Sequence, residues 1–127
     1  MTSIGSINFH DSYLKKIELG ENTTELLFEL VTGKRVRLLL NEVERLLCNG
    51  FREGNIILEA SIIGDLDRCD SLFSELFDKP AVDIEKHQVY LVSLKNRISK
   101  GELMLLHLTP SYGCELIALC RKIEFRS

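Results

Sequence analysis

The chain has no tryptophan, and its aromatic residues are six Phe and three Tyr. So few aromatics argue against a stacking groove for carbohydrate or for single-stranded nucleic acid. It also lacks a positive balance. Lys and Arg total 16 against 19 Asp and Glu, a formal charge of −3. Nothing in the whole-chain charge draws it to phosphate backbones or anionic membranes. Neither a nucleic acid nor a membrane is therefore expected as a partner. The longest apolar runs, "RLLL" and "LMLLHL", are far too short to span a bilayer. The opening "MTSIGSINFHDS" has neither a basic n-region nor an apolar h-region, so no signal peptide is expected. A cytoplasmic protein is the default.

Chemical signatures are equally sparse. Cys48, Cys69, Cys114 and Cys120 form no C-x-x-C pair, the spacing by which short loops hold ligands on a tetrahedron. If Cys114 and Cys120 share a strand, they face one side of it roughly 20 Å apart and cannot bond to each other. Reduced, buried thiols are the expectation. No H-E-x-x-H, no H-x-E, no G-x-S-x-G and no glycine-rich loop before a helix occurs, and each of these would carry a specific chemistry. No metal and no cofactor is expected.

What is present is an ordinary globular composition, 45% hydrophobic and 28% charged over 127 residues. That suits a single domain, 1–127, with one core. The clearest element is "DLDRCDSLFSELFDKP". Leu66, Cys69, Leu72, Phe73, Leu76 and Phe77 fall on one stripe of a 3.6-residue period. Asp65 or Asp67 can cap the start and Pro80 stops the helix, which predicts an amphipathic helix over about 67–78.

Most of the rest reads as strand. "TELLFEL" and "KRVRLLL" alternate around a turn at Gly33. Asn49-Gly50 is a type I′ turn signal, and Gly54-Asn55 suggests a bulge or second bend. "HQVYLVSLKNRI" and "ELMLLHLTP" read as a hairpin turning at Ser99-Lys100-Gly101, and "CELIALCRKIEF" is the last strand. "NEVERLLCNG" fits a short helix capped by Asn41, or a strand that bends near Asn41, and the strand is preferred. "SYLKKIELG" carries the same ambiguity. Segment "DKPAVDIEKH" is the one plausible soft joint. With no strand–helix–strand alternation, a parallel doubly wound sheet is not expected. The expected fold is α+β: a mainly antiparallel, strongly curved sheet or sandwich with one covering amphipathic helix.

The candidate site is "FHDS". His10, Asp11 and Ser12 are the side-chain types of a hydrolytic triad, but an extended chain sends neighbours to opposite faces. His10 and Ser12 would then share a face and Asp11 would point away, unable to orient the imidazole. The structural role is the expected one: Asp11 or Ser12 accepts backbone N–H groups and fixes the turn into the first strand, while Phe9 and Leu14 anchor it. His10 stays open as a binding residue. At "TPSYGC", Pro110 and Gly113 shape a turn, and Ser111 and Tyr112 are candidates for an exposed tip. Tyr112 either anchors a partner or packs back on the sheet, and the latter is preferred. His107 reads as a satisfied histidine in an apolar strand and His87 as a surface residue. The basic groups Lys34, Arg35, Arg37 and Arg121, Lys122, Arg126 alternate with apolar residues, as solvated strand faces do.

With "INFHDSYLKKIEL" near the start, "NGFREGNII" mid-chain and "PSYGCELIALC" near the end, the chain resembles a family of small, largely uncharacterised bacterial proteins that open on an "FHDS"-type segment. The resemblance implies strands in the ambiguous segments and a role like the immunity or accessory proteins encoded beside bacterial toxins. It carries over no catalytic residue. The reading therefore favours a non-enzymatic protein–protein interaction module, with self-association as a homodimer. The alternative is a small-molecule-binding protein or hydrolase-like enzyme with a cleft near His10 and Asp11.

Overall fold

The computed structural model describes residues 7–77 and 83–127. Its elements in chain order are β1 (Ser12–Leu19), β2 (Thr23–Glu29), β3 (Arg35–Asn49), β4 (Asn55–Ile62), α1 (Leu66–Leu76), α2 (Ile84–Ser99), β5 (Met104–Tyr112) and β6 (Glu115–Arg126). The sheet is antiparallel throughout, as expected. It is not a sandwich. The strands close into a barrel in the order β1-β2-β3-β6-β5-β4, and the closing seam is short, Ser12–Leu14 against Asn55–Ile57. Closure removes the exposed sheet edges that a sandwich would leave.

Alternation explains which side chains fill the barrel. Leu14, Leu26, Phe28, Leu38, Leu40, Ile57, Leu106, Leu108, Leu116, Ala118 and Cys120 point inward and are buried, so the interior is a packed core rather than a ligand cavity. Phe9, just ahead of β1, packs edge-on against Phe28 with ring centroids 4.9 Å apart. Cys114 and Cys120 both lie in this inner cluster, as their common parity predicts.

The ambiguous segment "NEVERLLCN" is strand. It belongs to the 15-residue β3, which bends where Glu42 takes a φ of 51° and the register to β6 slips between Val43 and Arg45. Asn49-Gly50 is not a type I′ turn. Gly50 has a φ of 78° and Asn49 does not share the left-handed conformation, so residues 50–54 form a longer loop.

A buried amide holds that loop. Asn55 Nδ2 donates to the carbonyls of Leu14 and Arg52. Its Oδ1 accepts from the amides of Arg52 at 2.7 Å and Cys114 at 3.1 Å. Every hydrogen-bonding position of the side chain is used, and it joins β1, the β3–β4 loop and the start of β6. Gly113 is part of the same fit: a Cβ there would come within 2.5 Å of Asn55 Oδ1, and its φ is 89°.

Helix α1 is the predicted one, capped by the Asp65 side chain accepting from the Asp67 amide. It ends at Leu76, where Phe77 turns extended, short of the expected end at Asp78. Pro80 and the first half of the proposed joint, 78–82, fall outside the described residues, and its second half, from Asp83 to His87, is the cap and first turn of α2 rather than a soft joint. The covering layer has a second helix, however. "HQVYLVSLKNRI" is α2, not a strand, and Ser99-Lys100-Gly101 is its exit rather than a hairpin turn. Asp83 caps α2, its side chain accepting from Lys86. The inward stripe is His87, Leu91, Leu94 and Ile98, at helical spacing. Together the helices cover one outer wall of the barrel. Cys69, Leu72, Phe73, Leu76, Phe77 and Leu94 pack there on Leu103, Leu105, Ile117 and Leu119, the outward residues of β5 and β6 and their approach. This second core explains why "LMLLHL" and "ELIALC" are apolar at every position but His107 and Glu115: both faces of those strands are buried.

Candidate functional site

The wall of β1, β4 and the end of β5, next to the one that the helices cover, carries the sequence candidates. β4 lies between β1 and β5, and its register sets Tyr13, Ile56 and Tyr112 in one row across the three strands. Each flanks inward-facing positions, so the row faces solvent. Tyr13 is 42% and Tyr112 52% exposed. Lys15 lies 5.1 Å from the Tyr13 ring and Arg52 lies 5.8 Å from that of Tyr112, so a cation sits at each end of the row. Tyr112 thus stands out from the sheet instead of packing back on it.

Two bulges shape this wall. Ile56 pairs with Tyr112 but Ile57 pairs with Pro110, which leaves Ser111 as the extra residue of β5. Ile57 to Pro110 and then Glu59 to Thr109 leaves Leu58 as the extra residue of β4. A bulged residue is released from the ladder. Leu58 is 43% exposed, and its carbonyl is taken by His10 Nδ1 at 3.0 Å. A carbonyl only accepts, so Nδ1 carries a proton in this contact.

The "FHDS" segment departs from strict alternation. Asp11 has a φ of 60°, a left-handed conformation that Asp tolerates better than most residues. That single reversal puts His10 and Asp11 on the same outer side, with Asp11 Oδ2 3.5 Å from His10 Nε2. It turns Ser12 into the barrel, where it is 0% exposed. Asp11 and His10 therefore meet, against expectation, while Ser12 is removed from both. The turn is not held by the Asp11 or Ser12 side chains either. The Asn8 side chain accepts from the His10 amide at 3.1 Å, Ser12 N donates to Phe9 O at 2.9 Å, and the Ser12 hydroxyl has no hydrogen-bond partner. A shallow groove beside Asp11 is lined by Asp11, Tyr13, Glu29, Leu30, Val31 and Gly33.

A second polar cluster was not legible as one. His107 faces outward from β5 beneath the helices, and Nε2 is 3.1 Å from Glu115 Oε2. In the β5–β6 ladder His107 pairs with Ile117, so Glu115 is its diagonal neighbour. Glu75 of α1 completes the cluster. Its carboxyl is held above the usual carboxylate range by burial and by the charge and hydrogen bond of Glu115, against a smaller opposing pull from His107. The ring's Nδ1 is buried without a partner. The only sequence cue was parity, which places His107 on the side opposite Leu106 and Leu108. His87, read as a surface residue, is half-buried and lies edge-on 6.5 Å from Phe77.

The basic clusters are solvated strand faces. Arg37 meets Glu25 at 3.6 Å, Arg121 meets Glu42 at 3.5 Å, and Lys122 meets Glu124 at 3.1 Å. Among the described residues no group of three His, Cys, Asp or Glu is placed to hold a metal ion, and no helix is long and apolar enough to cross a membrane. No protein-family model, no curated protein and no solved structure matches this chain.

Proposed function

We propose that the chain is a non-catalytic protein-binding module, immunity-like or accessory in kind, that docks its partner on the outer wall formed by β1, β4 and β5. The observation that carries this reading is the solvent-facing row of Tyr13, Ile56 and Tyr112, bracketed by Lys15 and Arg52. Tyrosines supply large contact area on few rotatable bonds and are enriched where binding energy concentrates. The bracketing cations suit a partner that offers carboxylates or carbonyl oxygens around an apolar centre. His10, Asp11 and Ser111 border the row and serve as its polar rim, and Leu58 adds exposed apolar surface beside it. Ser12 is fully buried, which deprives a hydrolase reading of its nucleophile.

The test is a photo-crosslinking amino acid placed at position 13 or 112, with Arg121 and Ser74 as control positions on other faces. In the native host, adducts to one protein are expected from 13 and 112 and not from the controls. Equal adducts from all four positions, or none from 13 and 112, would overturn the reading.

Self-association has a separate support. Val89 and Val92 of α2 are 69% and 52% exposed and lie on one helix face with Glu85 and Gln88. An antiparallel α2–α2 pair would set Val89 against Val92 of a second copy. Sedimentation equilibrium checks it: a dimer that Val89→Glu dissolves is expected, and a strictly monomeric wild type contradicts it.

A further inference from the structure

Three of the four cysteines are fully buried, and Cys48 is the partly exposed one. Cys69 lies under the helices and Cys120 lies inside the barrel, opposite Val43 and Met104. Cys48 and Cys114 are different. Cys48 pairs with Leu116 across the β3–β6 ladder, which makes Cys114 its diagonal neighbour, two residues on and on the same inward face. Diagonal neighbours are about 7–8 Å apart at Cα and closer at Cβ, just past the separation that a disulfide spans without backbone movement. Both belong to or pack against the inner cluster. The Cys114 thiol is pushed up by burial first and by the neighbouring Cys48 thiol second, in keeping with their places on one face of the ladder.

The surroundings allow the remaining approach. β3 ends at Asn49 and β6 begins at Glu115, so both sulfurs sit where the ladder stops and local opening is easiest. Gly50 follows two residues after Cys48 and Gly113 immediately precedes Cys114, both at positive φ.

We propose that Cys48 and Cys114 form a thiol–disulfide exchange site for small disulfides. The Cys48 sulfur attacks one sulfur of a disulfide RS–SR. That bond breaks, one RS⁻ leaves and takes the Cys48 proton, and Cys48 holds the mixed disulfide. The Cys114 sulfur then attacks the Cys48 sulfur. The Cys48–Cys114 bond forms, and the second RS⁻ leaves with the Cys114 proton. The two cysteines are oxidised and one external disulfide is reduced to two thiols. Cys48 is the entry point because it is the partly exposed cysteine, and Cys114 resolves because it is the diagonal neighbour of Cys48 across the ladder.

The experiment exposes the folded, reduced chain to oxidised glutathione and reads the intact mass and the non-reduced peptide map. The expected product has lost two hydrogens and links the Cys48 peptide to the Cys114 peptide, while Cys69 and Cys120 react at least about tenfold more slowly. Cys114→Ala is expected to stop at a glutathione adduct on Cys48, and Cys48→Ser to stay unmodified over the same exposure. A wild type that stops at the adduct, or that does not react, overturns the proposal on its own, whether or not the variants fold. So does equal modification of all four cysteines, which reports unfolding rather than a site.

Discussion

The two outer walls of this barrel are built from the same kind of strand and end up in opposite environments. The β5–β6 wall turns Leu105, Ile117 and Leu119 outward and buries them under Phe73, Leu76 and Leu94. The β1–β4–β5 wall turns Tyr13, Ile56, Leu58 and Tyr112 outward, and among the described residues neither helix lies over them. β5 belongs to both: its Leu105–Leu108 stretch is buried on both faces, and its end at Ser111 and Tyr112 is exposed. One wall is structural and the other is available. The sequence shows that difference as nearly unbroken apolar runs in "LMLLHL" and "LIALC" in the first case, and as strands mixed with polar and charged residues, "SYLKKIEL" and "NIILEASI", in the second.

The comparison breaks most severely at the covered wall. Phe73 is 1% exposed and packs edge-on against Phe77 at 5.6 Å, so Phe73→Ala should cost about 3–5 kcal/mol. Urea unfolding measures it, and a loss below about 1 kcal/mol would mean that the helices are not part of the cooperative core.

Next in size is the Asn55 clamp, which serves both walls. Asn55→Ala strands the amides of Arg52 and Cys114 and the Leu14 carbonyl, a cost of about 3 kcal/mol. Gly113→Ala should approach the same value through clash and backbone strain. Thermal melts of the two variants should fall together, and a Gly113→Ala protein as stable as wild type would show that Gly113 and Asn55 do not fit as described.

Two smaller effects sharpen the contrast. Ser12 carries a buried hydroxyl with no partner, so Ser12→Ala should be neutral or stabilising by up to about 1 kcal/mol. A destabilised Ser12→Ala would reveal a hydrogen bond at this position. Glu75 acts through pH. Its carboxyl is raised above 4.5 in the fold, so the native state binds more protons than the unfolded one, and this contribution to stability fades as pH rises from about 4.5 through the raised value. Glu75→Gln should flatten the stability profile over that interval, as followed by urea midpoints at several pH values. An unchanged slope would place Glu75 in free solvent.

Much of the fold could be read from local pattern. The alternation of β2 and the first half of β3, the α1 stripe and the two-sided apolar run of β5 and β6 each depend on neighbours in sequence. What stayed hidden depends on partners far away. Barrel closure rests on three residues of β1 meeting three of β4, and nothing within either segment announces it. Helix α2 was concealed by composition. Ile84, Val89, Tyr90 and Val92 are exposed apolar residues that blur the His87–Leu91–Leu94–Ile98 stripe and favour a strand reading. At the candidate site, one left-handed residue decided the outcome. Strict alternation placed Ser12 beside His10, whereas Asp11 at φ 60° reverses the chain and brings Asp11 to His10 instead. The bulges that free Leu58 and Ser111 are likewise a property of the pairing, not of either strand alone.

The central claim is that the exposed wall binds and the covered wall holds the fold together. It is tested most directly by Tyr13→Ala/Tyr112→Ala, measured for thermal stability and, against whichever protein crosslinks at positions 13 and 112, for affinity. The account predicts a melting temperature within a few degrees of wild type, as exposed substitutions give, and an affinity reduced at least about tenfold, the loss expected when contact-centre aromatics are removed. A strongly lowered melting temperature with unchanged affinity would contradict it.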